Sequence, residues 1–265
     1  MTLRWSIQVG SVGDAPWLAE DVDLVLPAAS IGKLLLLGVA AEMFEAGTLS
    51  REEPLRRADG VFVRDSGVWH TLQQEVLPAV DVCRLIGAHS DNLATNVLLH
   101  RVSIAQVREY ADRLGLAPLA LLDYARGHRD PEDPDVAPTL SVASASALIR
   151  FMELLDAGRI GAEVGEWLSL DTDLSMVADA FGLDPLAHNS IGGGDPGRFT
   201  LVNKTGTNEG IRADTGLAHA GGERTAYAVI AHWDQATDGD MLDEVITRMR
   251  DIGRQIRDRL QPAAS

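Results

Sequence analysis

Strand-forming stretches stand at both ends of this chain, and a long run of helical pattern lies between them. Residues 4–10 (RWSIQVG) and 20–26 (EDVDLVL) read as short strands around a turn at Gly13–Pro16. Toward the other end, 199–205, 211–219 and 225–233 read as an antiparallel meander, its first two strands joined by a tight Thr207–Gly210 turn. Strands so far apart in sequence have one economical arrangement: a single antiparallel sheet assembled from both ends, with the middle of the chain packed beside it. The expected fold is α+β, one two-lobed domain. Residues 1–27 and 199–265 form an α/β lobe with flanking helices, and residues 28–198 form an all-helical lobe. A cleft between the lobes is the expected place for a ligand.

The helical block divides at its breakers. Ser30 to Ala46 reads as an apolar helix stopped by Gly47, 78–89 and 91–101 as two helices separated at Ser90, and Val107–Leu114 as a helix stopped by Gly115. Residues 141–157 and 161–170 return to helix. The proline- and acid-rich stretch 123–138 reads as an irregular surface loop, and HNSIGGGDPGR at 188–198 as a glycine-rich connection. Residues 240–260 form an amphipathic closing helix, with Met241, Leu242, Val245, Ile246, Met249, Ile252, Ile256 and Leu260 on its apolar face.

Charge narrows the partners. With 23 basic and 39 acidic residues the formal net charge is −16, which argues against nucleic acid and anionic membranes. No run approaches the ~18 apolar residues of a membrane span. The N-terminus lacks a basic segment followed by an apolar stretch, so a cytoplasmic location is expected, or a secreted or periplasmic one if an export signal has been removed. The single cysteine, Cys83 in VDVCRLIG, excludes an intrachain disulfide and a zinc site of cysteine type, and reads as a small buried hydrophobe.

Of the 23 basic residues only two are lysines, Lys33 and Lys204. Arginine cannot give up its proton at neutral pH, whereas a buried lysine amine can, so a site needing a base made from a basic residue must keep lysine. Both lysines fall in short strings: Ser30-Ile31-Gly32-Lys33 and Lys204-Thr205-Gly206, with Ser90-Asp91-Asn92 between them. Each string is weak alone, but all three together arise by chance only about a few times in a hundred thousand. Lys33 lies one helical turn after Ser30 on the same face. At a helix start the dipole favours a serine alkoxide and disfavours an ammonium, so both groups are biased toward proton transfer from Ser30 to Lys33.

Other chemistries fit less well. Pro27 and Leu34 break the phosphate-loop pattern around Gly32-Lys33. Gly192-Gly193-Gly194 follows no strand of a βαβ unit, there is no H-E-x-x-H, and no G-x-S-x-G elbow carries a serine triad. His128, beside Asp130, Glu132, Asp133 and Asp135, reads as part of a hydrated acidic loop rather than a cation site. No metal and no organic cofactor is expected.

The three strings, their order and the 60-residue gap from Ser30 to Ser90 resemble the active-site set of class A β-lactamases and penicillin-binding proteins. The resemblance covers nearly the whole chain, although the family's usual first helix before the first strand has no counterpart here. It implies a two-lobed serine hydrolase with Ser30 as nucleophile and Lys33 as proton acceptor. Ser90 would pass a proton to the leaving nitrogen, and Asn92 would hydrogen-bond the substrate's side-chain amide. Lys204 and Thr205 would hold a substrate carboxylate, and the backbone N–H groups of Ser30 and Thr207, beyond Gly206, would form an oxyanion hole. Arg212 reads as a second carboxylate anchor or a surface arginine, and Trp69 as core packing ahead of the cleft rim.

One element of that family is missing. Class A enzymes use a glutamate in an E-x-x-L-N string to activate the water that clears the acyl-enzyme, and no such string occurs here. Its place falls near Ala125 or Arg126, with Asp123, Asp130 and Glu132 as substitutes to test. A serine–lysine pair without that base would acylate and then stall. Three readings stay open: a β-lactamase-type hydrolase with slow deacylation; an esterase, transpeptidase-like or glutaminase-like enzyme on the same scaffold; and a non-turnover acyl-binding sensor. The partner in each is a carboxylate-bearing small molecule.

Overall fold

The computed structural model describes residues 3–187 and 199–260, so the expected connection at 188–198 lies outside the described residues. Strands β1 (Arg4–Ser11) and β2 (Leu18–Glu20) form the first hairpin, and β3 (Leu26–Pro27) leads into a 3-10 turn at Ala29–Gly32 and helix α1 (Lys33–Glu45). Strands β4 (Pro54–Arg56) and β5 (Val76–Pro78) precede α2 (Ala79–His89), α3 (Asn92–Val102) and α4 (Ile104–Leu114). Strands β6 (Ala120–Leu121) and β7 (Ser141–Ala143) bracket the acidic loop, followed by α5 (Ala145–Asp156) and α6 (Ala162–Leu168). The meander is β8 (Thr200–Asn208), β9 (Ile211–Ala220) and β10 (Glu223–His232), followed by short α7 (Gln235–Asp238) and closing α8 (Leu242–Leu260).

The main sheet runs β2-β1-β10-β9-β8, antiparallel throughout, and β1 pairs with β10 from Arg4↔His232 to Ser11↔Thr225. The expected sheet from both chain ends is therefore present. Its faces follow the two-residue period of a strand. Tyr227, Val229 and Ala231, with Trp5, Ile7 and Val9, pack on Val245, Met249, Ile252 and Ile256 of α8. Ala226, Ala228 and Ile230 face the other way, into the core shared with the helical lobe.

At the centre of that lobe, α1 is buried on every side from Lys33 to Ala41, as expected of a helix without a polar face. Cys83 and Trp69 belong to this core.

The lobe expected to be all helical also holds the sheet β4–β5 and two strands, β6 and β7, of a second small sheet that β3 completes. Residues 141–143, expected in a helix, pair instead with Leu26–Pro27 and Ala120–Leu121. Strands of two or three residues, several carrying proline, are too short to show alternation, and only their partners distant in sequence specify them. The expected strand at 20–26 is likewise interrupted, with Asp21 at φ +42° between β2 and β3.

Candidate active site

The nucleophile candidate sits on a strained, tightly packed turn. Ala29 takes φ +48°, a left-handed conformation uncommon for a residue with a side chain, and Ser30 follows it in the 3-10 turn. Lys33, three positions after Ser30, follows the turn as the first residue of α1. The turn is pinned by Ser141, whose hydroxyl donates to the Ala29 carbonyl at 2.7 Å and accepts from the Gly32 N–H at 3.1 Å. Edge strand β8 approaches so closely that a Cβ on Gly206 would collide with the Ala28 carbonyl oxygen.

Ser90 is brought to the same place by its own backbone. It ends α2 at φ +51°, and Asp91 caps α3, its carboxylate accepting from Ala94 N–H at 2.9 Å. The same carboxylate accepts from Val68 N–H at 2.7 Å and Trp69 N–H at 2.8 Å, and Asn92 N–H donates to the Ser66 carbonyl at 3.1 Å. The 65–69 loop is thereby fastened to the Ser90–Asn92 turn. Gly67 is required there, since a side chain would run into Asp91 and φ is +95°.

Lys33 is fully buried, and its ammonium donates to the Ser90 carbonyl at 2.6 Å, the Ser90 hydroxyl at 3.2 Å and the Asn92 side-chain oxygen at 2.6 Å. Among the described residues it makes no hydrogen bond to Ser30. Its amine is pushed well below the usual lysine range by burial and then by the positive charge of Lys204, against the pull of Asp91 and Asp65. Lys204 is also fully buried and also lowered by burial, with Asp171, Asp173 and Asp214 pulling it back up. The only two lysines of the chain are thus within electrostatic range of one another.

Above them opens a cleft of about 690 Å³ whose wall includes Ser30, Ser90, Asn92, Thr205 and Thr207. The two lysines lie beneath its floor. Thr205 and Thr207 both line the cleft, and being two residues apart on β8 their backbone N–H groups point to the same side of the strand. Arg212 is not on the cleft wall. It is half-buried at the hairpin, where its guanidinium donates to the Asn208 and Ile211 carbonyls at 2.7 Å each. Trp69 is fully buried, with its indole N–H on the Gln74 carbonyl at 2.9 Å.

None of the carboxylates expected to replace the missing glutamate faces this cleft. Asp123 is buried, and although burial alone would raise its carboxyl, hydrogen bonds from Arg126 and Arg129 outweigh that and hold it below the usual range. Asp130 and Glu132 lie on an exposed turn. The loop contributes Ala125, Arg126, Gly127, His128 and Arg129 to the cleft wall instead. Among the described residues no group of three or more metal-ligating side chains is assembled, and no helix is long and apolar enough to cross a membrane.

Asp171 and Asp214 are site residues that the strings do not point to. Burial pushes both carboxyls up to about 7. Asp214 accepts from Val177 N–H at 2.9 Å and from the Tyr227 hydroxyl at 3.1 Å. Asp171 lines the cleft and keeps Oδ2 without a hydrogen-bond partner. A carboxylate inside the apolar strand IRADTGLA was the available signal for Asp214; Asp171 gave none beyond the i, i+2 spacing to Asp173.

Comparison with known proteins agrees with the fold. A family model described as the beta-lactamase enzyme family matches residues 3–260. A beta-lactamase from Sphaerobacter thermophilus superposes with a TM-score of 0.79 at 21% identity, covering 98% of this chain and 94% of that one. PBP-A superposes at 0.76 with 18% identity, covering 97% and 89%. A beta-lactamase from Chitinophaga pinensis gives 0.76 at 15%, covering 97% and 94%. A comparison with curated protein sequences finds no match.

Proposed function

The chain belongs to the beta-lactamase enzyme family and is a β-lactamase-like serine hydrolase acting on cyclic amides; from that premise we propose that it forms an acyl-enzyme on Ser30 with carboxylate-bearing β-lactams or related amides and releases the acyl group slowly. The observation that carries this reading is the Lys33 amine, buried under the cleft and 3.2 Å from the Ser90 hydroxyl.

Burial and the positive charge of Lys204 both favour the neutral form of Lys33, so its amine gives up a proton more readily than that of a solvated lysine. That amine takes the Ser30 hydroxyl proton as Oγ attacks the substrate carbonyl carbon. The negative charge moves to the carbonyl oxygen, which the Ser30 and Thr207 backbone N–H groups receive. Collapse breaks the C–N bond, and the leaving nitrogen takes the Ser90 hydroxyl proton, which Lys33 replaces across the 3.2 Å contact. The substrate carboxylate lies toward Thr205, over the buried charge of Lys204.

Clearing the acyl group requires water to lose a proton to a base. Ala125 stands in the cleft where the family's glutamate is expected, and a methyl group takes no proton. A neighbour in the fold, a mutant of PBP-A, is described as an acyl-enzyme complex with penicillin-G, which supports a long-lived intermediate on this scaffold.

The test combines intact mass with a chromogenic cephalosporin. One acyl group per chain is expected, with a stoichiometric burst and slow turnover after it, and Ser30→Ala should abolish both. Labelling that survives in Ser30→Ala would sink the nucleophile assignment. Rapid steady turnover would sink slow deacylation alone.

A further inference from the structure

The cleft wall carries a charge that the acyl-transfer chemistry does not use. Asp65 lies on it, exposed, with Oδ1 accepting a hydrogen bond from the Asn92 side-chain nitrogen at 2.6 Å. The opposite end of the same amide is occupied by Lys33, also at 2.6 Å. Asn92 therefore has one N–H left for a substrate, and a carboxylate stands beside it.

This carboxylate is held in place. Its loop is fastened to the Ser90–Asn92 turn by the Asn92 N–H to Ser66 bond and by the two N–H bonds from Val68 and Trp69 to Asp91. Asp65 makes no ion pair among the described residues, and the charge it feels from Lys33 acts from beyond the Asn92 amide, so its exposed side stays open to a substrate cation. The loop arginines on the cleft wall, Arg126 and Arg129, are both turned onto Asp123.

We propose that Asp65 is a specificity-determining residue, favouring acyl donors that carry a protonated amine next to the side-chain amide bound by Asn92 and disfavouring those with a carboxylate there. The inference rests on the acyl-enzyme reading above and names its substrate class: amides and β-lactams with an α-ammonium acyl side chain. A fixed charge discriminates by repelling one substituent as well as attracting the other. An exposed pair of this kind is worth up to about fivefold in rate.

Three penicillins share a phenylacetyl side chain and differ only at its α-carbon. Benzylpenicillin carries hydrogen there, ampicillin an ammonium and carbenicillin a carboxylate. Acylation rates of the full chain are measured by intact mass at about pH 6, below the usual range of an α-amino group. The readout is the ratio of the three rates within each variant, so a general loss of activity cancels. The expected order is ampicillin, then benzylpenicillin, then carbenicillin, with steps of about fivefold that shrink at high salt. Asp65→Asn should bring the three to within about twofold of one another, and Asp65→Glu should keep the order.

Equal rates in the unsubstituted protein, the reverse order, or an order that persists in Asp65→Asn would overturn the inference while leaving the nucleophile intact. A residue acting only through Lys33 would instead slow all three penicillins by one factor and move the pH profile, which also overturns it. Failure of all three to acylate Ser30 overturns the functional reading and this inference with it.

Discussion

Asn96 holds Ala125 by both of its backbone groups: its side-chain nitrogen donates to the Ala125 carbonyl at 2.9 Å, and its side-chain oxygen accepts from the Ala125 N–H at 2.8 Å. The methyl group fixed in this way projects from a position that is 2% exposed, on the wall of the cleft that Ser30 lines. Ala125→Glu places a carboxylate at that point without disturbing the clamp. It is expected to convert a single burst into sustained turnover, with deacylation faster by about a hundredfold, within the usual range for a general base. Decay of the acyl-enzyme mass measures this, and an unchanged lifetime would show that Ala125 is not the water-activating position.

The Lys33 substitutions separate charge from basicity. Lys33→Arg and Lys33→Ala are expected to lose Ser30 acylation to the same extent, because a guanidinium keeps its proton at neutral pH. Substantial acylation in Lys33→Arg would rule out the proton-acceptor role.

Asp171 predicts a pH dependence of binding. Burial raises its carboxyl to about 7, with the Lys204 charge acting in the opposite direction. Its unpartnered Oδ2 is a ready place for the proton. Below that value Asp171 is neutral and the Lys204 charge is available to a substrate carboxylate. Above it Asp171 is ionised and competes for that charge. The affinity of the complex formed before acylation should therefore fall as pH rises through about 7. Asp171→Asn should flatten the profile, and a β-lactam methyl ester should not show it. Binding constants across that range, for acid and ester, decide the matter.

Asp91 predicts a loss of stability. Its buried carboxylate accepts from three backbone N–H groups, those of Val68, Trp69 and Ala94. Asp91→Ala leaves two buried donors and one half-buried donor unpaired, at a cost of about 3 kcal/mol. Denaturant unfolding with an unchanged slope but a lower midpoint is the expected result. A midpoint within error of the parent would mean that water replaces the carboxylate.

The sheet and the long helices were legible because their periods are long enough to read. The continuous apolar run in β10 reads as a strand buried on both faces, and the apolar stripe of α8 declares which of its faces is buried. The two small sheets were not legible, since two- and three-residue strands are specified by partners such as Pro27↔Val142, more than a hundred positions apart. At the site, the lysine count located both amines because burial makes arginine and lysine chemically unequal. The 3-10 turn at Ser30 was not readable, as it depends on Ser141 reaching across from the far side of the acidic loop. Nor was the orientation of Lys33, whose hydrogen bonds go to Ser90 and Asn92. The position of Asp65 depended on the path of a loop that carries no pattern of its own.

The pairing of Arg4 with His232 has a consequence for how the molecule comes into being. While the chain is being synthesised, β1 must wait for β10, which emerges more than two hundred residues later. The turn bearing Ser30 must wait for β8 in the same way, since that strand packs against it. A nascent chain can assemble helices from its middle section but not a working nucleophile. The active form needs both long-range closures, the kind of event that makes such topologies slow, so labelling of Ser30 should appear late in a refolding time course.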